Sequence, residues 1–464
     1  MTILVDPYSA YRCVDLAWLS EIPAHWEVHR NGRLFSQRNE TGFPGLPILE
    51  VSLRTGVRVR DLTDAKRKQM MSDRAKYKRA ARGDVAYNMM RMWQGAVGVA
   101  PVDGLISPAY VVARPHDEVD TRYYSYLFRT AAYMGEVDGY SHGIVKDRNR
   151  LYWEDFKQIP SLVPPYREQV IIADFLDRHA QIAQRLIRAK RRQIELLNEQ
   201  KQAIIHQAVT RGLDPHVPLK PSGIDWLGDV PAHWDIRKLK FVAEEIVGGS
   251  TPSTGAPEYW DGDIVWVTPQ DVSASATLVD SKRHITQRGL EACSSTLMPA
   301  GTIVVTSRAP VGNVAFAAIP LTTNQGCKAI IPERSRLDQR YAFRLLQVLK
   351  PELQSLAKGT TFTEISTTQI ANVKVPVPPV DEQRSLVAVI ASETQLTDQS
   401  IGLAEREIDL IREYRTRLIA DVVTGKLDVR GVELPELDEA GDVAWDETDD
   451  ELGDGEIEDD DIDD

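Results

Sequence analysis

The sequence predicts a mixed α/β (α+β) protein built as an internal repeat. Two globular blocks are separated by two long α-helices that pair as an antiparallel coiled coil, with the halves related by a pseudo-two-fold axis. Three observations predict this. Trp18-Leu19-Ser20-Glu21-Ile22-Pro23-Ala24-His25-Trp26 returns as Trp226-Leu227-Gly228-Asp229-Val230-Pro231-Ala232-His233-Trp234. Pro164-Pro165-Tyr166-Arg167-Glu168-Gln169 returns as Pro378-Pro379-Val380-Asp381-Glu382-Gln383. After each of these, a long helical pattern ends in Val209-Thr210-Arg211-Gly212-Leu213-Asp214 or in Val423-Thr424-Gly425-Lys426-Leu427-Asp428. Self-similarity on this scale signals a duplicated architecture.

The first globular block, residues 1–163, reads as short strands between turn-rich loops. Ile48-Leu49-Glu50-Val51, Asp84-Val85-Ala86-Tyr87 and Tyr110-Val111-Val112 are short apolar runs bounded by Gly, Pro and Asp. His25 lies in a Pro-Ala-His-Trp turn, as does His233 in the second block, and no second ligand at metal-site spacing accompanies either. Both histidines are therefore expected to be structural.

The first spacer segment, residues 164–214, opens on a Pro-rich junction whose fixed φ suits a rigid entry to a helix. The helical patterns cover 168–209 and 382–423, offset by 214 at both ends, so they match without insertion or deletion. At ~1.5 Å per residue, 42 residues span about 63 Å. Ile390, Thr394, Thr397, Ile401, Ala404, Ile408, Ile411, Arg415, Leu418 and Val422 alternate spacings of four and three. Shifted by 214, the same positions are Leu176, Ala180, Ala183, Ile187, Lys190, Ile194, Leu197, Lys201, Ile204 and Ala208. Both are heptad seams, and their common register predicts that the helices pair with each other. Lys201 and Arg415 share one seam position, suited to snorkelling or to meeting a partner protein.

The second block, residues 215–377, repeats the strand pattern in Ile264-Val265-Trp266-Val267, Thr302-Ile303-Val304-Val305 and Ala329-Ile330-Ile331. Measured from Trp to Pro-Pro it has 144 residues against 138 in the first. Equal helices and unequal blocks suggest a fixed spacer carrying two readers. The second spacer segment is 378–431, and an acidic tail, 432–464, closes the chain. Residues 433–464 hold 18 Asp and Glu and no Lys or Arg. Removing these 18 from the net charge of −13 leaves +5 for residues 1–432. A like-charge block of this kind is expected to be disordered, and it does not count against nucleic-acid binding by the body.

Cys13, Cys293 and Cys327 are far apart and odd in number, which predicts neither a disulfide framework nor a zinc site. No apolar run approaches a membrane span, and the start lacks a secretory pattern, so a cytoplasmic location is expected. No Asn-Pro-Pro-aromatic methyltransferase motif, Gly-rich cofactor loop or Walker loop occurs. These readings predict no catalytic residues, no metal and no cofactor.

Gly248-Gly249-Ser250-Thr251-Pro252-Ser253 is followed by Glu258-Tyr259-Trp260-Asp261-Gly262-Asp263-Ile264-Val265-Trp266-Val267-Thr268-Pro269-Gln270-Asp271-Val272. With the Pro-Pro-x-x-Glu-Gln openings and the Val-Thr-Gly-Lys-Leu-Asp ending, this stretch resembles the specificity subunits of type I restriction-modification systems, over about residues 18–429. Two departures are visible. The first block reads Arg38-Asn39-Glu40-Thr41-Gly42 where the family has Gly-Gly-x-Thr-Pro, and the first helix ends Thr210-Arg211-Gly212. The resemblance implies that each block is a target-recognition domain reading one half of a bipartite site in double-stranded DNA. It implies helices that set the spacer and dock two methyltransferase subunits, with nuclease/translocase subunits as further partners. The alternatives are a methyltransferase-only complex without nuclease, a self-contained DNA-modifying enzyme, and a coiled-coil scaffold with a DNA-mimicking tail.

Candidate DNA-binding residues follow from charge and loop position. Residues 65–82 carry Lys66, Arg67, Lys68, Arg74, Lys76, Lys78, Arg79 and Arg82 against Asp73 alone, a plausible phosphate footprint. The loops with Arg91, Trp93 and Gln94 and with Arg308 each follow a predicted strand. Lys146 and the pair Thr360 and Thr361 precede the spacer junctions. Thr251, Thr268 and Gln270 lie in the Gly-Gly-x-Thr-Pro stretch. Arg and Gln are the usual major-groove readers of guanine and adenine.

Overall fold

The computed structural model describes residues 6–60, 74–143, 149–293, 295–357 and 364–433. It divides into two compact units, one formed by residues 1–191 and 405–464 and the other by 192–404. Each unit contains one globular block and part of both long helices.

The helices are Tyr166–Arg211, 46 residues, and Val380–Val423, 44 residues. Each starts directly after a Pro-Pro pair, where missing N–H groups cost the helix nothing. Glu168 in one first turn, and Asp381 and Glu382 in the other, face the positive end of the helix dipole. Each stops at a glycine in the left-handed region, Gly212 at φ 74° and Gly425 at φ 78°. The starts are 214 residues apart but the stopping glycines 213. Thr-Arg-Gly against Thr-Gly-Lys is therefore a one-residue delay of the same C-cap. It makes the first helix slightly longer, where equal lengths were expected.

Within each unit the two helices run antiparallel. In the first unit Lys190 Nζ lies 2.5 Å from Glu407 Oε2, and Leu176 shares a core with Leu418 and Val422. In the second, Lys201 pairs with Asp398, while Ile205 and Val209 share a core with Ile390 and Leu386. The predicted seam is the buried one. Leu176, Ala180, Ala208, Ile390, Thr394, Thr397, Ala404, Ile408, Leu418 and Val422 are buried, and the remaining seam positions are partly so. Lys201 meets an acid of the facing helix and needs no outside partner.

In the first unit a four-stranded antiparallel sheet has the order Phe35–Gln37, Tyr110–Pro115, Val85–Asn88, Val97–Val99. Helices Thr121–Phe128 and Ala131–Tyr140 bury Tyr123, Tyr124, Phe128 and Tyr133 against it. The block closes on itself where Glu27–Arg30 pairs with Pro160–Val163. In the second unit a five-stranded sheet has the order Ala243–Gly248, Cys327–Pro332, Ile303–Thr306, Val314–Ala317, Thr277–Leu278. Its last pairing is parallel. A smaller sheet joins His284–Ile285, Trp260–Val267 and Thr322–Thr323. Asp235–Lys238 pairs with Lys374–Val377, the same closure as in the first unit.

The repeated motifs meet at the junction between block and helices. Glu168 Oε1 accepts from Trp26 Nε1 at 2.9 Å and from the Tyr8 hydroxyl at 2.6 Å, and its Oε2 lies 2.8 Å from His25 Nε2. Glu382 repeats this with Trp234 Nε1 at 3.0 Å and His233 Nε2 at 2.8 Å. Gln169 Nε2 donates to Pro164 O at 2.9 Å while its Oε1 accepts from Asp120 N, also at 2.9 Å. Gln383 does the same with Pro378 O and Asp338 N at 2.8 and 2.7 Å. Asp120 and Asp338 in turn cap the next helix of each block. The opposite-running helix is caught at its C-terminus, where Tyr123 donates to Val423 O at 3.0 Å and Tyr341 to Val209 O at 3.4 Å. Each block thus grips the start of one helix and the end of the other, and His25 and His233 are parts of this grip.

Candidate nucleic-acid interface

In the second unit the Gly-Gly-x-Thr-Pro stretch is a loop pinned from three sides. A Cβ on Gly249 would lie 2.2 Å from the carbonyl oxygens of Thr323 and Asn324, so only glycine allows the loop to approach them. Ser250 N donates to Thr323 O at 2.9 Å. The two motif tryptophans hold the far side, Trp266 Nε1 donating to Ser250 O at 3.0 Å and Trp260 Nε1 to Ser253 O at 3.1 Å. Thr268 is a helix cap: its hydroxyl donates to Asp271 Oδ2 at 2.7 Å, and its N–H to the same oxygen at 2.8 Å. Gln270 is exposed on the helix Pro269–Ala274 that this cap starts.

These residues gather around a turn the sequence reading did not single out, Asn324–Gly326, and the start of the strand Cys327–Pro332 that follows it. The Thr251 hydroxyl donates to Gln325 Oε1. A Cβ on Gly326 would lie 2.8 Å from Pro269 Cγ, which sets the Gln270 helix against the loop. Lys328 Nζ lies 3.7 Å from Glu364 Oε1, and Arg308 Nε donates to Glu364 Oε2 at 3.1 Å. Ile365 N donates to Ser307 O at 2.9 Å and fixes that approach. Thr251, Gln270, Arg308, Gln325, Lys328 and Glu364 therefore share one end of the sheet. Glu364 stands 56 residues from Arg308 in sequence, and no local pattern announces the pairing.

The first unit has its corresponding loop after strand Val85–Asn88. It forms a 3-10 turn, Met92–Gln94, closed by Gly95 at φ 91°. Arg91 Nη1 donates to Gln94 Oε1 at 3.1 Å, and Trp93 Nε1 to Met90 O at 3.0 Å. Lys78 Nζ donates to Tyr110 O at 2.8 Å beside this loop, and burial lowers its pKa from the ordinary lysine value. Arg79 lies 2.8 Å from Asp103 Oδ2 and 3.0 Å from Glu40 Oε2, and its hydrogen bond to Asp103 is the main reason its pKa rises. Lys78 and Arg79 are thus already paired with groups of the protein, whereas Arg74 and Lys76 make no ion pair among the described residues. Lys66, Arg67, Lys68, Lys146, Thr360 and Thr361 lie outside the described residues, as does 434–464 of the acidic tail.

Among the described residues, no helix is long and apolar enough to cross a membrane. The family model of the type I restriction modification DNA specificity domain matches residues 231–405. The type I restriction enzyme MjaIX specificity subunit of Methanocaldococcus jannaschii is 39% identical over 169 residues, covering 36% of this chain and 39% of that one. The chain therefore spans about two fifths of that relative's length. The putative type I restriction enzyme MjaX specificity subunit of the same organism is 25% identical over 435 residues, or 89% of this chain and 96% of the other. A chain from a solved structure of a type I R-M system has the same fold, with a TM-score of 0.62 at 17% identity, over 88% of this chain and 99% of that one.

Proposed function

The chain belongs to the family of type I restriction-modification specificity subunits, and from that premise we propose that it is the non-catalytic subunit that selects the DNA sequence. Each globular block reads one half of a bipartite duplex site. The paired helices fix the spacing between the half-sites and carry two methyltransferase subunits, with or without a nuclease/translocase subunit. The blocks proposed as readers are 1–163 and 215–377, joined by spacer segments 164–214 and 378–431.

The observation that carries this reading is the repeated grip. In each unit one block is locked to both helices by the same Trp–Glu, His–Glu, Gln–backbone and Tyr–carbonyl contacts. A block held at two helix ends cannot swivel freely on its spacer, which is what a reader of fixed spacing needs. The reading ends differ in side chains, with Arg91 and Gln94 in one unit and Thr251, Gln270, Arg308 and Gln325 in the other. Two different half-sites are expected.

The test is selection of duplexes from a random library by the full chain assembled with a methyltransferase subunit. The expected product is two short conserved blocks separated by a constant gap. A single contiguous motif, or no enrichment, overturns the proposal.

A further inference from the structure

We propose that Arg283 is a pre-organised contact for the DNA phosphate backbone, at the centre of a strip formed with Lys282, Arg288 and the Ser253–Thr254 loop. The inference rests on the DNA-binding reading above and adds a site to it. The Arg283 guanidinium lies 3.8 Å from the ring centre of Trp260 and 5.3 Å from that of Trp266, and the two indoles meet edge to face at 5.2 Å. Both rings are themselves tied down, through their N–H groups, to the carbonyls of Ser253 and Ser250. A planar guanidinium stacked on a fixed ring loses little further freedom when it binds an anion.

Its charge is also unspent. Arg237, Arg308, Arg336 and Arg384 of the same unit each pair with an acid. Among the described residues Arg283 makes no ion pair, and neither do Lys282 and Arg288. All three are exposed. Asp280, the acid nearest in sequence, is held by His284 at 3.0 Å. The neighbouring loop presents exposed Ser253 and Thr254, the other side-chain type that contacts phosphates. Stacking covers a face of the guanidinium and leaves its N–H edges open, the geometry that oxygen anions accept. Phosphate contacts set register and affinity but carry no sequence information, so this strip supports the reading loops without choosing the bases.

The test measures affinity of the full chain, assembled with a methyltransferase subunit, for duplexes of several sequences between low and moderate salt. Arg283→Gln is expected to weaken all of them alike, by about four-fold at 0.2 M salt, and to make the log–log salt slope about 0.9 less negative. Lys282→Gln, which leaves the stack intact, is expected to shift the slope in the same direction. Arg283→Lys keeps the charge and should keep the slope. Unchanged affinity and slope in both glutamine variants overturn the inference while leaving DNA binding standing. A loss confined to one sequence overturns it in favour of base reading. A wild-type chain that binds no duplex with its methyltransferase subunit present overturns the DNA-binding reading itself and this site with it.

Discussion

Trp26 donates its indole N–H to Glu168 Oε1 at 2.9 Å, across 142 residues of sequence, and Trp234 repeats the bond to Glu382 at 3.0 Å. One carboxylate in the first turn of a helix thereby ties a whole globular block to that helix. The two copies differ in how they are covered. Tyr8 adds a third donor to Glu168, and Arg430 lies 5.0 Å from the ring centre of Tyr8. The Glu168 side chain is 5% exposed, and that of Glu382 31%.

The asymmetry predicts unequal costs for the same substitution. Glu168→Ala strands the buried donors of Tyr8 and Trp26, at about 1–3 kcal/mol per donor left unsatisfied. Glu382→Ala strands one buried donor, the Trp234 indole, at about 1–3 kcal/mol, and leaves a His233 that water can reach, so a smaller total loss is expected. Denaturant unfolding of the two variants checks this, with Glu168→Ala losing more. Equal losses would show that the Tyr8 cover contributes nothing.

Thiol reactivity follows the environments of the three cysteines. Cys13 is exposed, Cys293 is half-buried, and Cys327 is buried in the central sheet, where burial pushes its pKa up to about 12. The thiolate is the reactive form, so a maleimide at pH 8 should label Cys13 quickly and Cys293 slowly. Cys327 should label only after unfolding. Mass spectrometry of the timed digest reads the order, and early labelling of Cys327 would contradict the packing.

What the sequence made legible was what repeats or has a period. The 4-3 spacing from Ile390 to Val422 identified the seam because a helix returns every few residues to the same face. Strands were found near their true places but displaced by one residue or cut short: Ile264–Val267 is the end of Trp260–Val267, whose early residues Asp261 and Gly262 do not look like strand formers. The candidate site was only partly legible. Counting charges in 65–82 could not reveal that Arg79 is met by Glu40 and Asp103, 39 and 24 residues away. Thr268 is a candidate DNA-binding residue by sequence, and only the fold shows that its hydroxyl also donates to Asp271 as a helix cap. Glu364, Gln325 and Arg283 acquire their meaning only through chain crossings that leave no local trace.

Exchange of one block should change one half-site. Each block has its own core and its own grip on the helices. Replacing residues 226–377 with the matching block of a relative, keeping Trp234 and Glu382, is expected to alter the half-site read by the second unit and leave the other intact. Methylation mapping across a host genome measures both. A simultaneous change in both half-sites would mean that the blocks do not read independently.

The helices should act as a ruler that can be lengthened. Since they run antiparallel within each unit, a change in one alone would leave an unpaired bulge, so both must grow together. One heptad added to each, in the middle of the seam, preserves the a/d register. Seven residues at ~1.5 Å add about 10.5 Å. Duplex DNA advances ~3.4 Å per base pair, so the gap between half-sites should widen by about three base pairs. Three base pairs also turn the second half-site by roughly 100° around the duplex, at ~10.5 base pairs per turn. The inserted heptads must follow that rotation, which predicts a fall in activity even when the distance fits. Four residues in each helix add ~6 Å, about two base pairs, with some loss of seam register. Genome-wide methylation in cells carrying each double insertion gives the answer: the half-sites should persist while the gap grows. An active variant with an unchanged gap would show that something other than helix length sets the spacing.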